Sequence, residues 1–195
     1  MKKLLITGFE PFGGENINPS WEAVLRMPSE IGEYELRKIS VPVVFGEGAE
    51  KIIRAADEFC PNVILCIGQA GGRDAITPEL VGINIRHAQL PANSGADPQD
   101  EPVGPGGPSA YFSTLPARRI AKAVNGAGIP SRVSYTAGAY VCNDVLYSLL
   151  HRYSDTPTRV GFIHVPYSLE QGKEPAMDIN DITEALVVAV MNIDA

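Results

Sequence analysis

The sequence predicts an α/β fold, a three-layer α/β/α sandwich with a mostly parallel twisted sheet. Short apolar runs alternate along the chain with segments of helical period. The run Val63–Ile67 is continuously apolar, which is typical of a central strand covered on both faces. The 195 residues contain no internal repeat and no boundary in composition, so a single domain over residues 1–195 is expected.

The individual elements follow from local signals, beginning with a buried strand at Leu4–Ile6 that ends at Gly8. The pair Asn18-Pro19 then begins a helix, because asparagine caps a helix N-terminus and proline fits its first turn. Further strands are expected at Leu36–Val41, Val63–Ile67, Leu80–Ile85, Val133–Tyr135 and Val160–Val165. Further helices are expected at Gly46–Phe59, Pro116–Val124, Val141–Tyr153 and Ile182–Ile193.

The segment 91–108 is rich in Pro, Gly and Asp and has no periodicity, which predicts a flexible loop. In open parallel sheets, ligands bind beyond the carboxyl ends of the strands. Reactive side chains are therefore expected just after strands.

Composition argues against several classes of partner. Lys plus Arg is 16 and Asp plus Glu is 23, giving a net charge of −7 without a basic stripe, so nucleic acid is not expected to bind. Three sparse cysteines form neither a disulfide framework nor a zinc-binding pair. No apolar stretch is long enough for a signal peptide or a membrane span. Free thiols indicate a reducing compartment, so the expected location is cytoplasmic, away from membranes.

Cys142 is the candidate nucleophile because it lies at a predicted strand-to-helix junction. The N–H groups and dipole of a helix N-terminus lower the pKa of a thiol and can hold an oxyanion. The alternative is a small buried hydrophobic residue, which is the usual role of a free cysteine. Cys66, inside an apolar strand, and Cys60, at a helix end, are expected to be structural.

His164 is the preferred base for a cysteine nucleophile, because it ends the buried run Val160–Val165. A satisfied core histidine is the alternative reading of that position. His151 lies nine residues after Cys142 on the same helix, about 13 Å away, which is too far. His87 follows a predicted strand and stays open as an alternative base.

Glu79 is the candidate acid that orients the imidazole. Strand alternation places it on one face with Val81, Ile83 and Ile85, where an unpaired charge is costly and a charged His164 would be a partner. Alternatively, Glu79 lies outside the strand in solvent. Asp144, in the first turn of the Cys142 helix, is the rival acid.

Two loops border the expected crevice. The run Gly68–Arg73 follows a buried strand but matches neither GxGxxG nor a Walker motif. Phe9 and Phe12, before Gly13-Gly14, either pack in the core or clamp a flat apolar ligand. Two other functions stay open: a nucleoside phosphorylase-like transferase that holds phosphate at Gly71–Arg73, and a non-enzymatic binding module that uses the two phenylalanines.

Four groups of motifs follow one another along the chain: Thr7–Gly14 with Asn18–Trp21, Gly68–Arg73 leading into Ile76–Glu79, Ser134–Asn143, and Gly161–Tyr167. In this order they closely resemble the pyroglutamyl-peptidase I (pyrrolidone-carboxylate peptidase) family. The resemblance implies one catalytic domain that removes N-terminal pyroglutamyl residues from small peptides through a thioester acyl-enzyme, without metal or cofactor.

By the same resemblance, the catalytic triad falls on Glu79, Cys142 and His164. The pocket for the pyroglutamyl ring falls on Phe9, Phe12, Asn18, Gln69 and Val141. A neutral lactam needs an apolar slot and amide-type hydrogen bonds, which these residue types offer. A homo-oligomer, often a tetramer, is also implied.

One departure from the family pattern is visible at Gln89, where many relatives have arginine. It leaves the triad intact but puts in doubt any role carried over for that position.

Overall fold

The computed structural model describes residues 1–88 and 92–194. Its strands are β1 (Lys2–Phe9), β2 (Glu30–Ile31), β3 (Tyr34–Val41), β4 (Val63–Gln69), β5 (Thr77–Pro78), β6 (Val81–Ile83), β7 (Ala110–Phe112), β8 (Arg159–Val165), β9 (Tyr167–Ser168) and β10 (Ala176–Met177). Its helices are α1 (Pro19–Arg26), α2 (Glu47–Phe59), α3 (Ala117–Gly126), α4 (Val141–Arg152) and α5 (Ile179–Met191), with a 3₁₀ turn at Leu169–Gln171.

The central sheet has six strands in the order β2-β3-β1-β4-β8-β5. The four inner strands run parallel, and the short edge strands β2 and β5 are antiparallel to their neighbours. The carboxyl ends of β1, β4 and β8 therefore lie side by side at one edge of the sheet. At that edge Gly68 on β4 is the register partner of His164 on β8.

Helices cover both faces of the sheet. Alternate strand residues such as Leu65 and Ile163 join one core with α1, α3 and α5. Their neighbours Ile64 and Phe162 join a second core with α2 and α4. This alternation explains why the inner strands read as continuous apolar runs, since both faces are buried. The predicted α/β sandwich with a mostly parallel sheet is confirmed.

Most expected elements are present, with bounds that local hydrogen bonds explain. Asn18 caps α1 as expected, accepting from the N–H of Ser20 at 3.1 Å. Helix α5 begins three residues before the expected Ile182, because Asp178 accepts from the N–H of Asn180 at 2.7 Å. The first strand extends from Lys2 to Phe9, beyond its apolar centre.

The strand expected at Leu80–Ile85 is wrong in its extent. Strand β5 ends at Pro78, and β6 covers Val81–Ile83 and pairs with β7 in a separate two-stranded sheet. The strand is interrupted because the backbone hydrogen bonds change partner. Glu79 N still donates to Phe162 O of β8, whereas Leu80 N donates to Ser134 O. The strand expected at Val133–Tyr135 is also wrong, because this stretch forms a single isolated bridge, between Ser134 and Glu79.

The segment expected to be a flexible loop is irregular backbone over its described part, 92–108. It is attached to the body of the protein by backbone hydrogen bonds such as Asn93 N to Val43 O at 3.1 Å. Pro91 and the departure at Gln89 lie outside the described residues. Within the described ranges, no helix has the length and apolar character needed to cross a membrane.

Candidate active site

Cys142 is the second residue of α4, and its side chain reaches the edge of the sheet where the parallel strands end. The preceding residue Tyr140 has extended backbone and caps the helix without a side-chain hydrogen bond to it. The first N–H groups of a helix have no partner within the helix. The thiol therefore lies beside backbone donors of the kind that hold an oxyanion.

The close approach of Cys142 to the sheet depends on Gly68. A Cβ atom added to Gly68 would lie 3.0 Å from Sγ of Cys142 and 2.7 Å from Cζ of Phe162. Only glycine leaves this space open. Because Gly68 is also the register partner of His164, strands β4 and β8 bring the thiol and the imidazole to the same place.

His164 and Glu79 form a buried hydrogen-bonded pair. Nδ1 of His164 lies 2.7 Å from Oε1 of Glu79, and the two side chains are 4% and 0% exposed. Nη1 of Arg73 donates to the same carboxylate oxygen at 2.7 Å. With the carboxylate at Nδ1, a neutral His164 carries its proton there and leaves Nε2 as a free acceptor. This is the arrangement that a general base requires.

The pKa values favour an ionised Glu79 and a neutral His164. Burial raises the pKa of Glu79, but the hydrogen bond from His164 and the charge of Arg73 outweigh it, so the net pKa is lowered. Burial lowers the pKa of His164 more than the Glu79 carboxylate raises it. The imidazole is therefore ready to accept a proton at neutral pH.

The thiol differs from the sequence-based expectation. Burial raises the pKa of Cys142 to about 12, and the Glu79 carboxylate adds to this rise. The expected lowering of this pKa is wrong, because the loss of hydration and the nearby Glu79 carboxylate raise it instead. The resting state is therefore a neutral thiol beside a neutral imidazole.

A small cavity opens directly onto Cys142. It is lined by Phe9, Phe12, Asn18, Val43, Gln69, Tyr140 and Cys142. The walls are largely aromatic and aliphatic, whereas Asn18 and Gln69 contribute amides. Such a combination suits a small, flat, neutral ligand with a few hydrogen-bonding groups.

The two amides of the cavity are held differently. Asn18 is buried; its Oδ1 accepts from Ser20, and its Nδ2 donates to Glu10 O at 3.1 Å. Gln69 is partly exposed, and its Oε1 accepts from Nε2 of Gln171 at 3.0 Å. Each amide nitrogen keeps at least one hydrogen that is not used within the described chain.

A model of a known protein family, described as pyroglutamyl peptidase, matches residues 2–194. The chain belongs to the pyroglutamyl peptidase family. A pyrrolidone-carboxylate peptidase of Thermococcus onnurineus is 48% identical over 193 residues, covering 96% of both chains. One from Escherichia fergusonii is 47% identical over 197 residues, covering 98% of this chain and 92% of the relative. The crystal structure of pyroglutamyl peptidase I from Bacillus amyloliquefaciens superposes with a TM-score of 0.95 at 44% identity, covering 99% of this chain and 97% of that one.

The pyroglutamyl peptidase family is a family of cysteine peptidases, so the chain is a cysteine-type enzyme. Of its three cysteines, Cys142 alone lines the described cavity. Cys66 is buried in β4, as expected of a core residue. Cys60 is exposed at the C-terminal end of α2, with left-handed backbone (φ 53°).

The other two histidines and the rival acid Asp144 have hydrogen-bond partners outside the proposed triad. Nδ1 of His87 lies 3.0 Å from an exposed Asp100 carboxylate. Asp144 is fully buried and binds the Arg86 guanidinium and the N–H of Gly46. His151 is exposed, and its Nδ1 lies 2.8 Å from the Tyr111 hydroxyl. None of these three residues is among those that line the cavity.

The Val141 side chain is fully buried in the same apolar cluster as the cavity residue Phe9, and its expected contact with the ring stays a prediction. Three residues at the site lie outside the sequence-based set. Val43 and Tyr140 do line the cavity but carried no sequence signal beyond apolar character. Arg73 is visible in the sequence only as the end of a glycine-rich run, and no local pattern predicts its contact with Glu79.

Proposed function

We propose that this chain hydrolyses the bond that follows an N-terminal pyroglutamyl residue of small peptides, with Cys142 as nucleophile, His164 as base and Glu79 as the orienting acid. The observation that carries the proposal is the meeting of three features at one sheet edge. These are a thiol at the start of α4, a neutral imidazole bonded to a buried carboxylate, and an aromatic cavity that opens onto the thiol. The names of the relatives supply the substrate class.

The proposed reaction is acyl transfer through a thioester. Nε2 of His164 takes the proton of Cys142 as Sγ attacks the pyroglutamyl carbonyl carbon. Backbone N–H groups at the start of α4 stabilise the oxyanion. The protonated His164 then gives its proton to the leaving amine, and the C–N bond breaks. A water molecule, deprotonated by His164, hydrolyses the thioester and restores the thiol.

Glu79 and Arg73 support this cycle by fixing the imidazole. The Glu79 carboxylate holds the proton of His164 on Nδ1 and stabilises the imidazolium that forms during attack. Arg73 donates to the same carboxylate oxygen, and its charge adds to the hydrogen bond from His164 in lowering the pKa of Glu79. The neutral thiol gives up its proton only when the substrate is in place, which fits a general-base mechanism.

The cavity accounts for the choice of the pyroglutamyl group. Its ring is a neutral lactam with no ammonium group, so it requires no carboxylate partner. Phe9 and Phe12 offer apolar walls, and the amides of Asn18 and Gln69 offer donors for a carbonyl oxygen. Prolyl and glutamyl groups carry a charged amine, whose burial in such a cavity is costly.

The test is hydrolysis of coumarin amides of pyroglutamate, proline and glutamate in phosphate-free buffer. We expect release of fluorophore from the pyroglutamyl amide alone, with no effect of added phosphate. The Cys142→Ala variant serves as the matched control and should be inactive. Strict dependence on phosphate would favour the phosphorylase-like transferase, and binding without turnover would favour the non-enzymatic module.

Three further expectations stay predictions. They are the single catalytic domain over residues 1–195, the homotetramer and the cytoplasmic location. Light scattering on the purified chain measures the assembly directly, and a monomer would contradict the expected tetramer.

A further inference from the structure

The 3₁₀ turn after β9 carries an amide that no step of the proposed reaction uses. Gln171 ends this turn, and its Oε1 accepts from the backbone N–H of Ser168 at 3.0 Å. Its Nε2 donates to Oε1 of Gln69 at 3.0 Å and to Oε2 of Glu15 at 3.3 Å. Gln171 therefore connects two loops to a residue that lines the cavity.

The direction of these hydrogen bonds is fixed by chemistry. A backbone N–H only donates, so the end of Gln171 that meets Ser168 is the oxygen. An ionised carboxylate only accepts, so the end that meets Glu15 is the nitrogen. Gln69 must then present its oxygen to Gln171, which turns its own Nε2 away from the turn. That nitrogen makes no hydrogen bond with the described part of the chain.

Glu15 is itself held in place. Lys173 forms an ion pair with Oε1 of Glu15, and its ammonium lies 5.2 Å from the centre of the Tyr167 ring. The hydrogen bonds from Lys173 and Gln171 lower the pKa of Glu15, so it accepts at neutral pH. The loop after β1, which carries Glu15, is thereby joined to the loop after β8.

We propose that Gln171 is a positioning residue that turns Nε2 of Gln69 into the cavity as a donor for the lactam carbonyl. The proposal rests on the proposed function, because it takes the pyroglutamyl ring as the ligand. The lactam carbonyl is the group that separates this ring from proline, so its donor bears on specificity. Glu15 and the Ser168 N–H act by fixing Gln171.

A purely structural role for Gln171 is the competing explanation. Its bond to Ser168 belongs to a capping box, which stabilises the start of the turn whatever the cavity holds. The two roles differ in their consequences. Loss of a cap changes the shape of the site and its stability, whereas loss of positioning weakens lactam binding and leaves the nucleophile as it was.

The experiment measures how well 2-pyrrolidone protects Cys142 from alkylation by iodoacetamide. The extent of alkylation is read by mass spectrometry on the peptide that contains Cys142. Gln171→Glu keeps the oxygen that accepts from Ser168 but loses the N–H that donates to Gln69. Gln69 should then turn its nitrogen toward the new carboxylate and its oxygen into the cavity. Gln171→Met removes all three side-chain hydrogen bonds, to Ser168, Gln69 and Glu15, without adding charge. Glu170→Gln, at the exposed neighbouring position, is the matched control.

We expect the protection constant to weaken about tenfold in both Gln171 variants, the loss of about one hydrogen bond. The alkylation rate without 2-pyrrolidone should stay at the wild-type value in Gln171→Glu, which keeps the acceptor for Ser168. Glu170→Gln should match wild type throughout. Wild-type protection in both Gln171 variants would overturn the proposal. So would an equal change in the unprotected alkylation rate of Gln171→Glu, which indicates a deformed site, or a wild-type protein that 2-pyrrolidone does not protect. Protection without hydrolysis of the pyroglutamyl amide would refute the proposed function and leave the positioning role standing.

Discussion

Nδ1 of His164 lies 2.7 Å from Oε1 of Glu79, in a position where water has almost no access to either side chain. The hydrogen bond selects one tautomer of the imidazole, and it presents the other ring nitrogen as a base. It also explains why a carboxylate is retained in a buried site, where an unpaired charge is strongly unfavourable.

Glu79→Gln should lower kcat by about a thousandfold or more, because the amide fails to fix the tautomer and to stabilise the imidazolium. KM should change little, since Glu79 does not line the cavity. Steady-state kinetics with the pyroglutamyl amide measures both constants. The exposed Glu58→Gln is the control of equal charge change. A near-wild-type kcat in Glu79→Gln would remove Glu79 from the proposed triad.

Arg73→Met should move the acid limb of the kcat/KM profile to higher pH. The reaction needs neutral His164, whose pKa lies below its ordinary value of 6.5 because of burial, with Arg73 lowering it further. Removal of that guanidinium raises the pKa, so protonation sets in at higher pH and activity is lost there. Arg132→Met, which disrupts an exposed ion pair with Asp74, is the control. If the acid limb of Arg73→Met stays in place or moves to lower pH, Arg73 does not lower the pKa of His164.

Alkylation of Cys142 by iodoacetamide should accelerate about tenfold per pH unit from neutral pH upward, without a plateau. The reason is that burial raises the pKa of this thiol to about 12, so the thiolate fraction keeps growing with pH. The rate is measured on the peptide that contains Cys142, separately from the exposed Cys60. A plateau reached below pH 7 would show a preformed thiolate and contradict the neutral resting pair.

Gly68→Ala should lower activity by about a hundredfold or more, because a displacement of about 1 Å at reacting atoms has that effect. The added methyl group would stand 3.0 Å from Sγ of Cys142 and 2.7 Å from Phe162. The free energy of unfolding should fall by about 1–3 kcal/mol, from overpacking. Gly126→Ala, at the end of α3 with open space around it, should be neutral or stabilising. Denaturant unfolding and kinetics compare the two, and wild-type activity in Gly68→Ala would disprove the close approach.

Asp144→Asn should reduce stability and leave catalysis intact. Its buried carboxylate pairs with Arg86, which is 24% exposed, so loss of the charge should lower the free energy of unfolding by about 2 kcal/mol. Because Asp144 does not contact His164, kcat per folded molecule should stay within about twofold of wild type. A loss of kcat as large as that expected for Glu79→Gln would restore Asp144 as the orienting acid.

The positions of Cys142 and His164 in the fold are predictable from the sequence, and the structure confirms them at the start of α4 and near the end of β8. A helix start and a strand end are visible as local patterns, and parallel strands end at one edge. Glu79 was selected for a reason that holds only in part. It is buried as expected, but between two short strands rather than on the apolar face of one long strand, and Ile85 is 42% exposed.

The remaining features depend on contacts that no local pattern shows. Arg73 meets Glu79, six positions further on, through the irregular loop between β4 and β5, and Gln171 reaches Gln69 across 102 positions. The pKa of Cys142 was wrongly expected to fall, because a helix start is visible in the sequence whereas the packing that removes water is not. Val141, placed near the ring by resemblance, is buried in the same apolar cluster as the cavity residue Phe9, and its contact with the ring stays a prediction.

The most direct test of the account is an acid quench of the protein during turnover of a pyroglutamyl aryl ester, followed by intact-mass and peptide analysis. The account predicts one pyroglutamyl group per chain, attached to the peptide that contains Cys142 and absent in Cys142→Ala. Turnover that persists in Cys142→Ala, or a pyroglutamyl group attached to any other residue, would contradict it.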